Sequence, residues 1–102
     1  PSIYRYDFSG KQSKLLARPE VAFDPASFQT KQVFYKSKDG SKIPMFIVSK
    51  KGLELGKKAL PTFLYAYGGF NIPITPSFNP ANIAWLEKGG IYAQPCLRGG
   101  GE

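Results

Sequence analysis

Tyr65-Ala66-Tyr67-Gly68-Gly69-Phe70 is the segment whose residue types and spacing are suited to chemistry. A phenolic hydroxyl at the end of an apolar run can donate a hydrogen bond to an oxyanion developing on a substrate, as side-chain donors do alongside backbone amides. Two glycines beside it let backbone and substrate approach closely. Phe70, just beyond, is placed to wall an apolar side-chain pocket. On spacing alone the favoured reading is a plain tight turn flanked by core aromatics, since Gly-Gly between aromatics also occurs there. Other chemistry is excluded by composition. The chain has no histidine, so it holds no imidazole base for a Ser-His-Asp or Cys-His arrangement. With no histidine and one cysteine it cannot build a His/Cys zinc site. Cys96 cannot form an internal disulfide and reads as a small, buried apolar residue rather than a reactive thiol.

The elements that must position Tyr67 and Phe70 follow from the pattern around them. Thr62-Phe63-Leu64-Tyr65-Ala66-Tyr67 is a near-continuous apolar and aromatic run, the signature of a strand covered on both faces, as in a parallel sheet. After a loop containing Pro73, Pro76 and Pro80, positions 81–88 predict two helical turns, with Asn79 as N-cap and Pro80 at the first helical position. Gly89-Gly90 stops that helix, and Ile91-Tyr92-Ala93-Gln94 starts another strand, leading to Arg98-Gly99-Gly100-Gly101. Strand, loop, helix and strand in this order make one crossover unit of an α/β sheet.

Upstream, the pattern is that of antiparallel strands. Ile3-Tyr4-Arg5-Tyr6-Asp7-Phe8 and Ser13-Lys14-Leu15-Leu16-Ala17 flank turn chemistry at Ser9-Gly10-Lys11. Pro19, Asp24-Pro25 and Ser27 mark an irregular crossover over 18–29, where a domain boundary would fit. A second hairpin is clearer: Gln32-Val33-Phe34-Tyr35-Lys36 turns at Asp39-Gly40 into Lys42-Ile43-Pro44-Met45-Phe46-Ile47-Val48. Pro44 lacks a donor, which predicts that this end of the strand lies at a sheet edge. Positions 50–58 read as a polar loop.

At 102 residues and 42% hydrophobic, the chain supports one modest core. No apolar run has the length of a transmembrane helix and no signal segment opens the chain, so no membrane partner is expected. Pro1 at one end and a glycine run at the other read as cut ends of something longer. The net charge of +7 and pI near 9.6 raise nucleic acid as a partner. The excess sits in the first sixty residues, at Lys36, Lys38, Lys42, Lys50, Lys51, Lys57 and Lys58, several of them alternating with apolar strand positions. That is the pattern of a solvated sheet face. A small basic nucleic-acid-binding module, supported by the charge, the aromatics and Arg98-Gly99-Gly100, is the alternative reading. Another is a fragment that self-associates through its exposed apolar strand.

Positions 32–102 closely resemble the start of the peptidase domain of the prolyl oligopeptidase family. The resemblance is carried by Ser37-Lys38-Asp39-Gly40-Ser41-Lys42-Ile43-Pro44-Met45-Phe46, Tyr65-Ala66-Tyr67-Gly68-Gly69-Phe70-Asn71, Thr75-Pro76-Ser77-Phe78 and Leu97-Arg98-Gly99-Gly100-Gly101-Glu102, in the family's order. It implies an α/β fold. The domains implied are the end of a β-propeller at 1–20, a crossover at 21–31, and the truncated N-terminal part of an α/β-hydrolase sheet at 32–102. It also implies a serine endopeptidase that cuts short proline-containing peptides after proline, with no cofactor. Tyr67 matches the family's oxyanion-hole tyrosine, Phe70 a wall of the pocket for the proline ring, and Gly68 and Gly69 the loop between them. Relatives specific for basic residues carry another residue where this chain has Phe70. Arg98 and the following glycines match a signature loop of structural role. Ala66 stands where the family usually has glycine, and Pro95-Cys96 replaces a small residue and asparagine. The Gly-x-Ser-x-Gly nucleophile segment is missing, as is histidine, so the chain alone is expected to be inactive and to need the remainder of its parent chain. The compartment, cytoplasmic or periplasmic, stays open.

Overall fold

Residues 1–101 are described in a computed structural model. Two sheets contain all the strands among them. The first is a lone antiparallel hairpin of β1 (Ile3–Asp7) and β2 (Gln12–Ala17). Its turn is held by the Asp7 carboxylate, which accepts from the Ser9 and Gly10 amides at 3.2 and 3.0 Å. Every residue of both strands is exposed, so neither face of this hairpin is covered.

The second sheet has the order β3-β4-β6-β5 and is mixed. β3 (Phe28–Lys36) and β4 (Lys42–Lys50) form the hairpin foreseen around Asp39-Gly40, with Lys36 opposite Lys42. β3 starts at Phe28, four positions before Gln32, because the Asp24-Pro25 signal closes only one 3₁₀ turn, Pro25–Ser27. That turn is capped by the Asp24 side chain, and the chain then pairs at once with the end of β4, Phe28 opposite Lys50.

β4 is interior over most of its length, but its N-terminal end, up to Pro44, lies outside the second ladder, the edge position expected from Pro44. The sheet tolerates the proline because the ladder to β6 (Ile91–Pro95) ends beside it. The last paired residues are Met45 and Pro95, and the Pro44 carbonyl still accepts from the Cys96 amide at 2.9 Å. The reciprocal bond, which Pro44 would have to donate, is the one the ladder does without.

β5 (Thr62–Leu64) runs parallel to β6 and is joined to it through α1 (Ala81–Glu87), the crossover unit read from the sequence. The Asn79 carboxamide oxygen caps α1 by accepting from the Ala81 amide at 3.0 Å, and Pro80 is already in helical conformation. At the other end, Lys50 Nζ donates to the Glu87 carbonyl at 3.0 Å. Leu86 is the side chain that α1 buries most completely, and the Trp85 indole donates to the Ile91 carbonyl, tying helix to strand. Ile43, Leu86 and Ala93 are the buried hydrophobic residues among those described, a small core for this length. A groove of about 400 Å³ opens between α1 and the sheet, lined by Phe28, Phe46, Val48, Phe78, Ile83 and Tyr92 among others. No helix among the described residues is long and apolar enough to cross a membrane.

Candidate functional site

Tyr67 is reached through a ladder that one residue interrupts. β5 was expected to be a longer strand covered on both faces. It is paired only from Thr62 to Leu64, at the sheet edge, with all three residues exposed. The cause is Pro95. In this register the Ile91 amide donates to the Pro61 carbonyl at 2.8 Å and the Tyr65 amide to the Ala93 carbonyl at 3.0 Å, and the next bond would run from residue 95 to the Tyr65 carbonyl. Proline has no N–H to give, so the ladder breaks there. The register itself survives, because Tyr67 re-forms a parallel bridge with Cys96. Tyr67 is thereby fixed at one bridge just past the break, 36% exposed, with its hydroxyl making no hydrogen bond to any described residue. Cys96 beneath it is half-buried, its thiol 3.7 Å from the Ile74 carbonyl.

The two glycines after Tyr67 do different things. Gly68 lies against the Leu97-Arg98 backbone: a Cβ there would stand 2.6 Å from the Arg98 carbonyl oxygen and 2.7 Å from Leu97 Cβ. Gly69 faces open space. The close approach at Gly68 therefore serves the Arg98 loop. Gly69 instead begins a β-turn, its carbonyl accepting from the Ile72 amide at 3.1 Å. The two central residues of that turn, Phe70 and Asn71, have φ of 52° and 55°. A turn with two left-handed central residues is populated chiefly by Gly, Asn and Asp. Asn71 fits that preference. Phe70 does not, and holding it there costs about 1–2 kcal/mol. The residue is 91% exposed and lines none of the three principal cavities among the described residues. Tyr67 thus precedes the tight turn and Phe70 sits inside it, both open to solvent.

Arg98, at the head of the glycine loop, forms an ion pair with Asp39 in the β3–β4 turn. The Asp39 carboxylate also accepts from the Ser41 amide at 3.1 Å. The Arg98 hydrogen bond first, and then those from Ser41, pull its pKa down to about 2. Nothing in the sequence joins these two residues; Asp39 reads there only as turn chemistry. Glu102, which closes the glycine motif, lies outside the described residues. Among the described residues no cluster of His, Cys, Asp and Glu could hold a metal.

No protein-family model matches the chain. Individual relatives match it along its full length. The prolyl endopeptidase of Elizabethkingia meningoseptica is 50% identical over 102 residues, which is 100% of this chain and 14% of that protein. The chain belongs to the prolyl oligopeptidase family. Solved structures agree. One from a structural and mechanistic analysis of two prolyl endopeptidases superposes with a TM-score of 0.87 at 46% identity, covering 99% of this chain and 15% of that one. Prolyl oligopeptidase B from Galerina marginata, bound to a 25mer macrocyclization substrate, gives a TM-score of 0.85 at 41% identity, covering 98% of this chain and 14% of that one. The chain spans about one seventh of the length of these prolyl oligopeptidases, so it corresponds to a fragment of them.

Proposed function

We propose that this chain is part of a serine endopeptidase that hydrolyses short peptides on the carboxyl side of proline, and that it supplies the oxyanion tyrosine and one wall of the proline pocket. The observation that carries the proposal is the match to prolyl endopeptidases along the whole of this chain, which includes Tyr67, the Gly69–Ile72 turn and the glycine loop packed against it. In this reading, 1–20 closes a β-propeller and 21–31 crosses over. Residues 32–102 begin an α/β-hydrolase peptidase domain, and its first strand draws in residues from Phe28.

Acyl transfer to serine places negative charge on the former carbonyl oxygen of the cut bond. The Tyr67 hydroxyl, free of any partner among the described residues, is available to donate to it. Phe70, projected outward by its left-handed backbone, offers a ring face to the proline on the acyl side. The nucleophile, the base and its carboxylate partner come from elsewhere in the longer protein, since the chain has neither histidine nor a Gly-x-Ser-x-Gly segment. The substrate is a short proline-containing peptide. The relatives and structures named above include no nucleic-acid-binding protein, and the basic-module alternative gains no support from them.

The test is to isolate the natural gene product, measure its intact mass, and treat it with a serine-reactive phosphonate carrying proline. Labelling of a product several times longer than 102 residues supports the proposal. A product ending near Glu102 that takes no label refutes it.

A further inference from the structure

The strained turn has to be held by something, and its partners lie in the glycine loop. The Asn71 amide donates to the Gly99 carbonyl at 2.9 Å. A Cβ on Gly100 would stand 2.9 Å from the Ile72 carbonyl oxygen, and one on Gly101 would stand 3.2 Å from the Asn71 side-chain oxygen. Gly68 meets the Arg98 carbonyl more closely still. The two loops therefore touch at Gly68, Gly69, Asn71 and Ile72, mostly through backbone atoms.

Three consecutive glycines make a poor prop, because glycine loses more backbone freedom on ordering than any other residue. Between positions 98 and 101 the only side chain is that of Arg98. It reaches out of the loop to Asp39. Asp39 sits in a turn that is itself well tied. There the Ser37 amide donates to the Ser41 carbonyl at 2.8 Å, the Gly40 amide to the Ser37 carbonyl at 2.9 Å, and the Ser41 amide to the Asp39 carboxylate. A well-tied turn thus anchors the glycine loop, and that loop packs against the strained one.

We propose that Asp39 and Arg98 are positioning residues for substrate selection: their ion pair fixes the glycine loop, which in turn holds Phe70 in the left-handed conformation that presents its ring to proline. The selectivity part rests on the function proposed above; the structural part does not. Neither residue touches substrate in this scheme. Small misplacements of a pocket wall are costly in rate, so a contact between half-exposed charges becomes visible in selectivity.

The experiment uses the longer protein that carries this segment, with Arg98→Ala, Arg98→Lys, Asp39→Asn and the double variant Asp39→Asn/Arg98→Ala. Asp39→Asn keeps an acceptor for the Ser41 amide while removing the charge. Two quantities are read: amide exchange at Asn71, and the ratio of kcat/KM for a peptide with proline on the acyl side to that for its alanine counterpart. Arg98→Ala and Asp39→Asn should each speed exchange at Asn71 and lower the proline/alanine ratio by about three- to tenfold. The double variant should be no worse than Arg98→Ala, and Arg98→Lys should recover part of the loss. An unchanged Asn71 exchange rate in the folded single variants overturns the clamp, as does a rise in exchange spread evenly over the protein. An unchanged ratio despite faster Asn71 exchange overturns its role in selection. If the wild-type protein cleaves neither peptide, the proposed function and the selection role fall together, and the exchange data still decide whether the clamp exists. Should Arg98→Ala not fold, Asp39→Asn carries the same two readouts.

Discussion

At the scale of single residues, Tyr67 and Asp39 carry the sharpest expectations. Replacing Tyr67 by Phe in the longer protein removes one hydroxyl and leaves the ring, so kcat should fall by about 10²- to 10³-fold with the fold intact. A loss below about threefold, far under that scale, would show that the hydroxyl does not serve the oxyanion. Asp39 makes a prediction in pH. Its carboxylate titrates at about 2 in the fold against an ordinary 3.8. A lowered pKa means the stabilisation is fully present above 3.8 and is lost as pH falls through about 2. Carboxyl chemical shifts followed by NMR should therefore show Asp39 titrating near 2, and Arg98→Ala should move that midpoint upward. A wild-type midpoint at 3.8 would mean that the pair does not form in solution.

At the scale of elements, the two prolines of the sheet set where pairing stops. Pro95→Ala restores a donor opposite the Tyr65 carbonyl, so the new amide at position 95 should be protected from exchange and exchange across β5 slowed. An unprotected amide at that position in the variant would show that the interruption has another cause. This break was not legible in the sequence. The run from Thr62 to Tyr67 has strand character throughout, and the reason it stops pairing at Leu64 lies about thirty residues away, in a strand whose register only the fold reveals. Local features read well: the Asp39-Gly40 hairpin, the Asn79 cap and the β5-α1-β6 crossover follow from turn chemistry, capping and periodicity. Pro44 also read correctly, because the ladder to β6 begins only at Met45 and leaves the Pro44 end of β4 at an edge. The Asp39–Arg98 pair joins residues with no local relation. The left-handed pair at Phe70 and Asn71 had one signal, Asn71, a residue that tolerates that region; nothing local marks Phe70 as sharing it.

At the scale of the whole molecule, the 102 residues are thin. The Cα radius of gyration is 16.7 Å and the extents are 51 × 33 × 21 Å, against about 13 Å for a compact domain of this length. The accessible surface is 7850 Å², where a compact 11.3 kDa monomer would show about 5,700 Å². Large apolar side chains are among the exposed residues: Phe8, Leu16, Phe34, Phe63 and Leu64 all face solvent. With β5 at the edge presenting Phe63 and Leu64, the isolated chain should self-associate, with a sedimentation coefficient that rises with concentration. A monomer at all concentrations would show that these surfaces are not sticky enough to matter. So small a core also means that increments of a kilocalorie weigh heavily on whether the chain folds, and one of them sits at Phe70. Phe70→Gly relieves the left-handed backbone and should raise stability by about 1 kcal/mol in chemical denaturation. A laboratory evolution campaign scored on heat tolerance would therefore enrich glycine at this position and select against the aromatic ring. If Phe70 walls the proline pocket as proposed, only a screen that also scored discrimination between proline and alanine peptides would keep it, because the two traits would then pull that codon in opposite directions.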